Sequence, residues 1–403
     1  MKTALRSEGE QTLPKLKQID WILCVYIVTI NVSAISPHVN AILQNATYIL
    51  FLGCALIFSK VYIRISAFAR LYGLFLAFAT MSLAWSFSAS GTLTLLRILL
   101  KIYTICVLIS SYYNTEEKSV RLMKAVYYGL LLTIVFLCAV TPMTQWTSAS
   151  FGKAYGMDTV RYSVRTALCA VIGLYFYSLT KKKGFFVVSC VVMLLSLITA
   201  KRTGIVFFAI AIICYYLFVQ KNMGKRLRAF MIAVLFAVIA LQIINYIPIL
   251  PATIGQRMQD FLNTFFGGQN ADRSTLQRTM LMEHAVSFFF RNPLIGNGLN
   301  TFRAYLGGLD FEHITYAHNN YLEIAGGLGL VGLVLYYSTY IYGIYGGAKL
   351  LKRNREKTTS FLLAVFIAYL VCDIIQVTYE SYFEILILSV LVTSIENKRM
   401  KSK

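Results

Sequence analysis

The amino-acid sequence predicts an all-α integral membrane protein with about twelve transmembrane helices and both termini in the cytoplasm. Of its 403 residues, 58% are hydrophobic and only 14% are charged. The mean hydropathy is +0.64. Soluble domains are about 45–50% apolar and about one quarter charged. The composition therefore excludes a soluble domain, and we interpret residues 1–403 as a single polytopic membrane domain.

Twelve apolar runs approach the length of about 20 residues that a helix needs to cross a bilayer. They lie at residues 20–36, 41–59, 66–87, 92–113, 123–141, 163–180, 184–200, 203–220, 228–248, 320–347, 359–377 and 380–396. Two pairs are so closely spaced that each predicts either a helical hairpin or one bent helix. The first eighteen residues are polar, so we expect the first apolar run to act as an uncleaved anchor.

The basic residues predict the orientation of these spans. Twelve spans with both termini inside place 26 of the 38 Lys and Arg residues in cytoplasmic segments. This is the distribution that the positive-inside rule describes. This distribution explains most of the net charge of +21. The partner that it predicts is therefore the lipid bilayer and not nucleic acid.

Two predicted external connections are long, at residues 142–162 and 249–319. Only the second is large enough to hold a small subdomain. Within it, the apolar pattern of residues 275–290 predicts a helix that lies on the membrane surface over the bundle. Asn292 and Pro293 end that helix, and the glycines that follow form a turn.

The eight cysteines all fall inside apolar runs, and no pair has the spacing of a metal site. None lies in a loop where a disulfide would be useful. They read as small core residues, and few external carboxylates cluster, so we expect no metal site.

Lys201 and Arg202 occupy a very short external turn and break the charge rule that the other turns follow. One interpretation is a pair whose charged ends reach the headgroup region. The other is a clamp for phosphate, because arginine presents a rigid, permanently charged fork to phosphate oxygens.

Arg97 and Lys101 lie one helical turn apart within a predicted span, where facing lipid is costly. They either line a watery cavity, where they would contact substrate, or pair with carboxylates. The candidate carboxylates are Asp373, Glu380 and Glu384.

Further arginines recur on the external side of the predicted bundle. Arg165 lies near the outer end of its span, Arg257 follows an exit from the membrane, and Arg278 lies early on the loop helix. Arg273, Arg291 and Arg303 could equally be solvated surface residues. Because the arginines recur as a set, we expect several of them to bind an anionic lipid-linked substrate.

His318 lies where the long external loop meets the next span. Imidazole is suited to proton transfer near neutral pH, since its ordinary pKa is about 6.5. The alternative role is a helix cap. Asn319 and Glu323 share one helical face and are candidate substrate contacts. Glu323 lies about 140° around the helix from His318, which argues against a direct pair.

The segment that contains His318 carries a family resemblance. The runs Arg278-Thr-Met-Leu-Met-Glu, Arg291-Asn-Pro-Leu-Ile-Gly-Asn-Gly and His318-Asn-Asn-Tyr-Leu-Glu-Ile-Ala-Gly-Gly-Leu-Gly-Leu-Val-Gly resemble the signature of the O-antigen ligase/polymerase superfamily. The local match covers about 75 residues. The number of spans and the large, late external loop also agree with this family.

The resemblance implies an inverting glycosyltransferase of the bacterial inner membrane, with its active site facing the periplasm or cell exterior. The donor is a glycan on undecaprenyl diphosphate, the acceptor is a hydroxyl of a lipid-linked glycan, and no metal, nucleotide sugar or other cofactor is needed. His318, Arg278 and Arg202 match the family's catalytic positions, and Arg257 and Lys201 lie where substrate would bind. A chain-length regulator and a flippase are candidate partners.

Three functions remain open. The first is a polymerase that joins repeat units of O-antigen, capsule or exopolysaccharide, and the second is a ligase that transfers finished glycan to lipid A core. The third is a twelve-span secondary transporter, although the sequence shows neither similar halves nor a long central loop. A membrane acyltransferase with a histidine base is a weaker alternative.

Overall fold

The computed structural model describes residues 12–32, 37–58, 63–146, 151–198, 202–220, 273–309 and 315–401, with six further positions between 222 and 231. Across these residues the regular structure is helical, which confirms the predicted all-α class. In chain order the α-helices are α1 (Gln18–Asn31), α2 (Pro37–Gly53), α3 (Ala67–Met81), α4 (Ala89–Tyr112), α5 (Glu116–Val140), α6 (Thr159–Thr180), α7 (Lys183–Ile198), α8 (Arg202–Val219), α9 (Arg273–Arg291), α10 (Phe302–Gly307), α11 (Asn320–Arg353), α12 (Lys357–Cys372) and α13 (Tyr382–Lys401).

Five helices in the described ranges are long and apolar enough to cross a membrane, namely α3 with its 3₁₀ extension, α4, α5, α6 and α11. The shorter apolar helices include α1, α7, α8 and α12, together with the part of α2 and its extension from Ile42 to Ile57. Each closely spaced pair of predicted spans forms two separate helices, α7 with α8 and α12 with α13. The predicted span at 228–248 lies outside the described residues, so the count of twelve stays a prediction.

The last helix, α13, forms the centre of the bundle. Its residues 383–398 are all buried, as expected of a helix surrounded by other helices. Aromatic contacts join its neighbours: Tyr175 of α6 stacks on Phe361 of α12 with ring centroids 4.3 Å apart. This stacking holds α6 and α12 together beside α13.

Ion pairs join the loops at one end of the bundle. Glu396, near the end of α13, binds Arg64, and Lys398 binds Glu116 and Glu356. Nearby, Arg121 of α5 pairs with the buried Asp20 of α1 at 2.8 Å. We call this region the paired end, and its charged residues are Asp20, Arg64, Glu116, Arg121, Glu356, Glu396 and Lys398.

The predicted loop helix is confirmed as α9, and it ends at the residue before Asn292 and Pro293. Its apolar face packs on α10 and the segment before α11. The shared hydrophobic cluster consists of Leu281, Ala285, Phe288, Phe302, Tyr305, Leu306 and Ala317. The loop subdomain at 249–319 stays a prediction, since 249–272 and 310–314 lie outside the described residues.

Helix α11 is interrupted at Gly329, whose φ is +64° and ψ is −168°. The backbone N–H groups of Leu330 and Val331 donate to the carbonyls of Pro293 and Leu294, at 2.9 and 3.1 Å. A Cβ atom at position 329 would lie 2.3 Å from the Leu294 carbonyl oxygen. Glycine is therefore required at this close approach of helix and loop.

Candidate active site

A cavity of about 420 Å³ opens at the end of the bundle opposite the paired end. It lies where α1 ends and where α4, α6 and α13 begin. We call this region the cavity end. The residues that line it are Ile30, Asn31, Thr94, Leu95, Ile98, Gly156, Arg161, Arg165, Asn300, Arg303, Glu380, Ser381 and Tyr382.

Three arginines line this cavity together with one carboxylate, that of Glu380. Arg303 donates through Nη2 to both carboxylate oxygens of Glu380, at 3.1 and 3.3 Å. The Nη2 of Arg161 lies 3.8 Å from the same carboxylate. Arg165 is buried, and its Nη2 lies 3.5 Å from Glu384. The cavity end is thus rich in guanidinium groups, and two of them, on Arg161 and Arg303, share one carboxylate.

Local structure explains why these side chains converge. Arg161 and Arg165 lie one turn apart at the start of α6, so they share a helix face. Asp158 caps that helix by accepting a hydrogen bond from the Val160 N–H at 3.2 Å. Glu380 lies on the turn between α12 and α13.

The turn that carries Glu380 is attached to the start of α11. The side-chain oxygen of Asn320 accepts hydrogen bonds from the N–H groups of Thr378 and Tyr379, at 2.9 and 3.0 Å. Asp373 accepts from Tyr337 and Thr378, at 2.9 and 2.6 Å. These buried contacts fix Glu380 relative to the segment that bears His318.

His318 is half-buried and has a φ of +54°, a sparsely populated conformation for residues other than glycine. Glu323 holds the preceding residue, because its buried carboxylate accepts from the Ala317 N–H at 2.7 Å. Asn319 caps α11 by accepting from the Leu322 N–H at 3.0 Å. The helix cap is therefore Asn319, and the capping alternative for His318 is wrong.

The surroundings of His318 favour its neutral form. Burial lowers its pKa, and the positive charge of Arg278 lowers it further, against a smaller opposing effect of Asp158; the resulting pKa is about 4. The imidazole is therefore uncharged at neutral pH and has a lone pair that can accept a proton.

Tyr316 connects His318 to the cavity. The two rings lie with centroids 4.4 Å apart. The guanidinium of Arg303, which lines the cavity, lies 5.8 Å from the centre of the Tyr316 ring. Burial raises the pKa of Tyr316, on which the charges of Asp158 and Arg161 also act. His318 and the arginine-lined cavity thus belong to one polar region.

Of the other predicted catalytic residues, Arg278 is exposed on α9 and its charge acts on both His318 and Tyr316. Arg202 begins α8, and its side chain lies outside the described part of the structure, as do Lys201 and Arg257. The start of α8 lies against the arginine-bearing turn of α6. A Cβ on Gly204 would be 2.3 Å from the carbonyl oxygen of Ser163.

Arg97 and Lys101 are not among the described residues that line the cavity. Arg97 is exposed. Lys101 donates to the side-chain oxygen of Asn45 and lies 5.4 Å from the ring centre of Tyr48, both on α2. The carboxylates considered as their partners are bonded to other residues, so the ion-pair alternative is wrong for Lys101.

Sequence reasoning missed the roles of Arg161, Arg303 and Glu380. For Arg161 a signal was available, because it lies four residues before Arg165 at the outer end of a span. Arg303 and Glu380 are 77 residues apart, and no local pattern predicts that they meet.

The fold and this site define a multi-pass membrane protein with a cationic polar cavity. Residues 184–337 match the family model described as O-antigen ligase, a family of membrane enzymes of the glycosyltransferase type. This match confirms the predicted relationship to the O-antigen ligase/polymerase superfamily. It implies a lipid-linked glycan as substrate. No curated protein matches the chain.

Proposed function

We propose that this protein is a polysaccharide polymerase, an inverting glycosyltransferase that extends a glycan carried on undecaprenyl diphosphate. The observation that carries the proposal is the neutral His318, which is connected through Tyr316 and Arg303 to an arginine-lined cavity and lies within the field of Arg278. A base and a set of cations in one region are what sugar transfer from a diphosphate requires. The active site faces the periplasm or cell exterior.

In the proposed reaction, a hydroxyl oxygen of the acceptor glycan attacks the anomeric carbon of the donor sugar. The bond from that carbon to the diphosphate oxygen breaks, and undecaprenyl diphosphate leaves with the electron pair. His318 accepts the proton of the attacking hydroxyl. A positioned base typically contributes about 10²–10⁴ in rate. Attack opposite the leaving group inverts the anomeric centre.

The departing diphosphate gains negative charge, which Arg278 and Arg202 stabilise. Preorganised cations in a site shielded from water lower the energy of this charge, and losing one such contact costs about 10²–10³ in rate. Lys201 and Arg257 contribute to binding the same anion. Glu323 and Asn319 hold the backbone on either side of His318, and their direct contact with substrate stays a prediction.

The description of the matched family as O-antigen ligase favours a second candidate, transfer of the finished glycan to lipid A core. The surface polysaccharide of a strain that lacks this protein distinguishes the two. We expect glycans of a single repeat unit, as for a polymerase. Lipid A core without any O-antigen, accompanied by normal polymer on the lipid carrier, would contradict the polymerase and support the ligase.

Complementation of that strain tests the site. His318→Ala is expected to abolish polymer while the protein remains in the membrane, because the base is lost. His284→Ala, the same substitution on α9, serves as the matched control and should restore polymer. Polymer of normal length from His318→Ala would remove this histidine from the active site.

A further inference from the structure

Three buried polar atoms without a hydrogen-bond partner lie on residues that line the cavity. They are the Nε of Arg165 and the side-chain oxygens of Asn31 and Asn300. Other buried side chains of the described residues, such as Arg121, also carry an unpartnered atom, so these three atoms do not by themselves mark a ligand site. The charged groups that a ligand in the cavity can reach are the guanidinium groups of Arg161 and Arg303, whose side chains are 38% and 42% exposed.

Arg165 is a buried cation with few polar contacts, and its guanidinium lies 4.9 Å from the ring centre of Phe383. It is 5% exposed, its Nη2 lies 3.5 Å from Glu384, and its Nη1 faces the sulfur of Met157 at 3.1 Å. The sulfur of a thioether is a weak acceptor. A buried charge needs close, well-oriented partners. The guanidinium therefore retains the capacity to bind an anion.

The charge of the cavity limits which anion fits. Three guanidinium groups line it, against the single carboxylate of Glu380. Glu384, behind Arg165, offsets a second positive charge. Among the described lining residues one positive charge is left, which matches one carboxylate. A diphosphate carries at least two negative charges and fits the field of Arg278 and Arg202 better.

The size and the remaining lining residues fit a sugar. A volume of about 420 Å³ lies within the usual range for small-ligand sites, roughly 300–1,000 Å³. Thr94 offers a hydroxyl group to a ligand, and Tyr382 offers an aromatic ring. Arg303 adjoins Tyr316, which contacts His318, so the cavity lies on the side of the base.

We propose that this cavity is the subsite for an acidic sugar of the acceptor glycan. Its carboxylate is bound by Arg161, Arg165 and Arg303. The assignment to the acceptor rests on the proposed function, whereas selective binding of an acidic sugar does not. In the absence of sugar, Glu380 forms ion pairs with Arg161 and Arg303, so it competes with the carboxylate of the sugar for these arginines.

Direct binding to the purified full-length protein tests this proposal without any turnover. Sodium glucuronate, glucose and inorganic pyrophosphate serve as probes, and calorimetry or saturation-transfer NMR measures their dissociation constants. We expect glucuronate to bind at least about 10-fold more tightly than glucose, as a charge-assisted contact implies. Arg303→Gln should weaken glucuronate binding by about 10-fold and leave pyrophosphate binding unchanged. Arg291→Gln is the matched control.

Glu380→Gln gives a result of the opposite sign, because it removes the competing carboxylate. Glucuronate should then bind several-fold more tightly. A purely structural role for Glu380 would weaken binding or leave it unchanged. Equal binding of glucuronate and glucose, or loss of pyrophosphate binding instead of glucuronate binding in Arg303→Gln, would overturn the subsite.

Arg278→Ala separates this proposal from the proposed function. It should lower the rate of polymerisation by about 10²–10³-fold but retain glucuronate binding. If glucuronate binds as expected while a deletion strain makes normal polymer, the polymerase assignment fails and the acidic-sugar site stands. If polymerisation depends on Arg278 but glucuronate does not bind selectively, the subsite alone is wrong.

Discussion

The central helix α13 has charged residues at both ends, and the ion pairs that these residues form differ between the two ends. At the paired end, Glu396 lies 2.8 Å from Arg64, and Lys398 lies 2.7 Å from Glu116. At the cavity end, Arg303 lies 3.1 Å from Glu380, whereas Arg165 lies 3.5 Å from Glu384 and Arg161 lies 3.8 Å from Glu380. Short pairs at one end stabilise the bundle, whereas the arginines at the other end share few carboxylates and remain available to an anionic substrate.

Depth of burial does not account for this difference between the two ends, because both ends include deeply buried charged groups. Asp20 is fully buried at the paired end, and it accepts hydrogen bonds from Tyr113 and from the Lys17 N–H, at 2.6 and 2.7 Å, besides its ion pair with Arg121. Arg165 is equally deep, but its Nη2 lies 3.5 Å from Glu384 and its Nη1 faces the sulfur of Met157. The shorter ion pair of Arg121 thus serves the structure of the bundle, whereas the longer one of Arg165 leaves room for an anionic ligand.

The largest effect should come from breaking the buried pair at the paired end. Arg121→Met leaves Asp20 without its cation in the interior, which should destabilise the protein by about 3–5 kcal/mol. Thermal unfolding of the purified protein measures this loss. Combining Arg121→Met with Asp20→Asn should recover part of it. Activity per folded molecule should remain normal, and selective loss of activity would break the comparison.

Near the cavity end, around His318 and Arg278, substitution should affect activity and leave stability nearly unchanged. Arg278→Lys keeps the charge but loses the planar fork, so we expect a rate loss of at least about 10-fold, within the 10²–10³ of full removal. Initial rates with a lipid-linked donor measure it. Arg291→Lys on the same helix is the control. Full activity of Arg278→Lys would mean that charge alone matters there.

The lowered pKa of His318 predicts a smaller but more specific effect, on the pH dependence of the activity. Because its pKa is lowered to about 4, polymerisation should stay nearly constant from pH 8 to about pH 5 and decline below that. In Arg278→Gln, the residual activity should decline at higher pH, since a charge that lowers this pKa is gone. An unchanged pH profile would separate Arg278 from His318.

The same shift links stability to pH. The unfolded chain binds a proton at His318 near pH 6.5, whereas the folded protein does so only near pH 4. Stability is therefore lost as the pH falls through this window and is retained above it.

The smallest effect is expected at the rim of the paired end. Lys401 is exposed and donates to Glu116 at 2.8 Å. Exposed ion pairs contribute little, so Lys401→Ala should change neither the melting temperature nor the rate measurably. A clear loss of stability would show that the paired end depends on its surface pairs as well as on its buried ones.

Sequence reasoning recovered the elements whose signals are local. Apolar runs predicted the helices, and the pattern of residues 275–290 with Asn292 and Pro293 predicted α9 and its end. The meeting of Arg303 with Glu380 was beyond reach, because it depends on how α10 and the turn before α13 pack. The role of Glu323 was missed for another reason: Ala317 and His318 precede the helix, so helical angles do not apply to them.

The interruption of α11 at Gly329 has a consequence for engineering. The N–H groups of Leu330 and Val331 are satisfied by Pro293 and Leu294, and the Gly298 N–H donates to the Gly327 carbonyl at 2.7 Å. Two glycine-rich stretches about thirty residues apart along the chain therefore pack against each other as one structural unit. A chimera with a relative should exchange residues 292–331 as a single cassette, because grafting either half alone would disturb the backbone hydrogen bonds that join the two stretches.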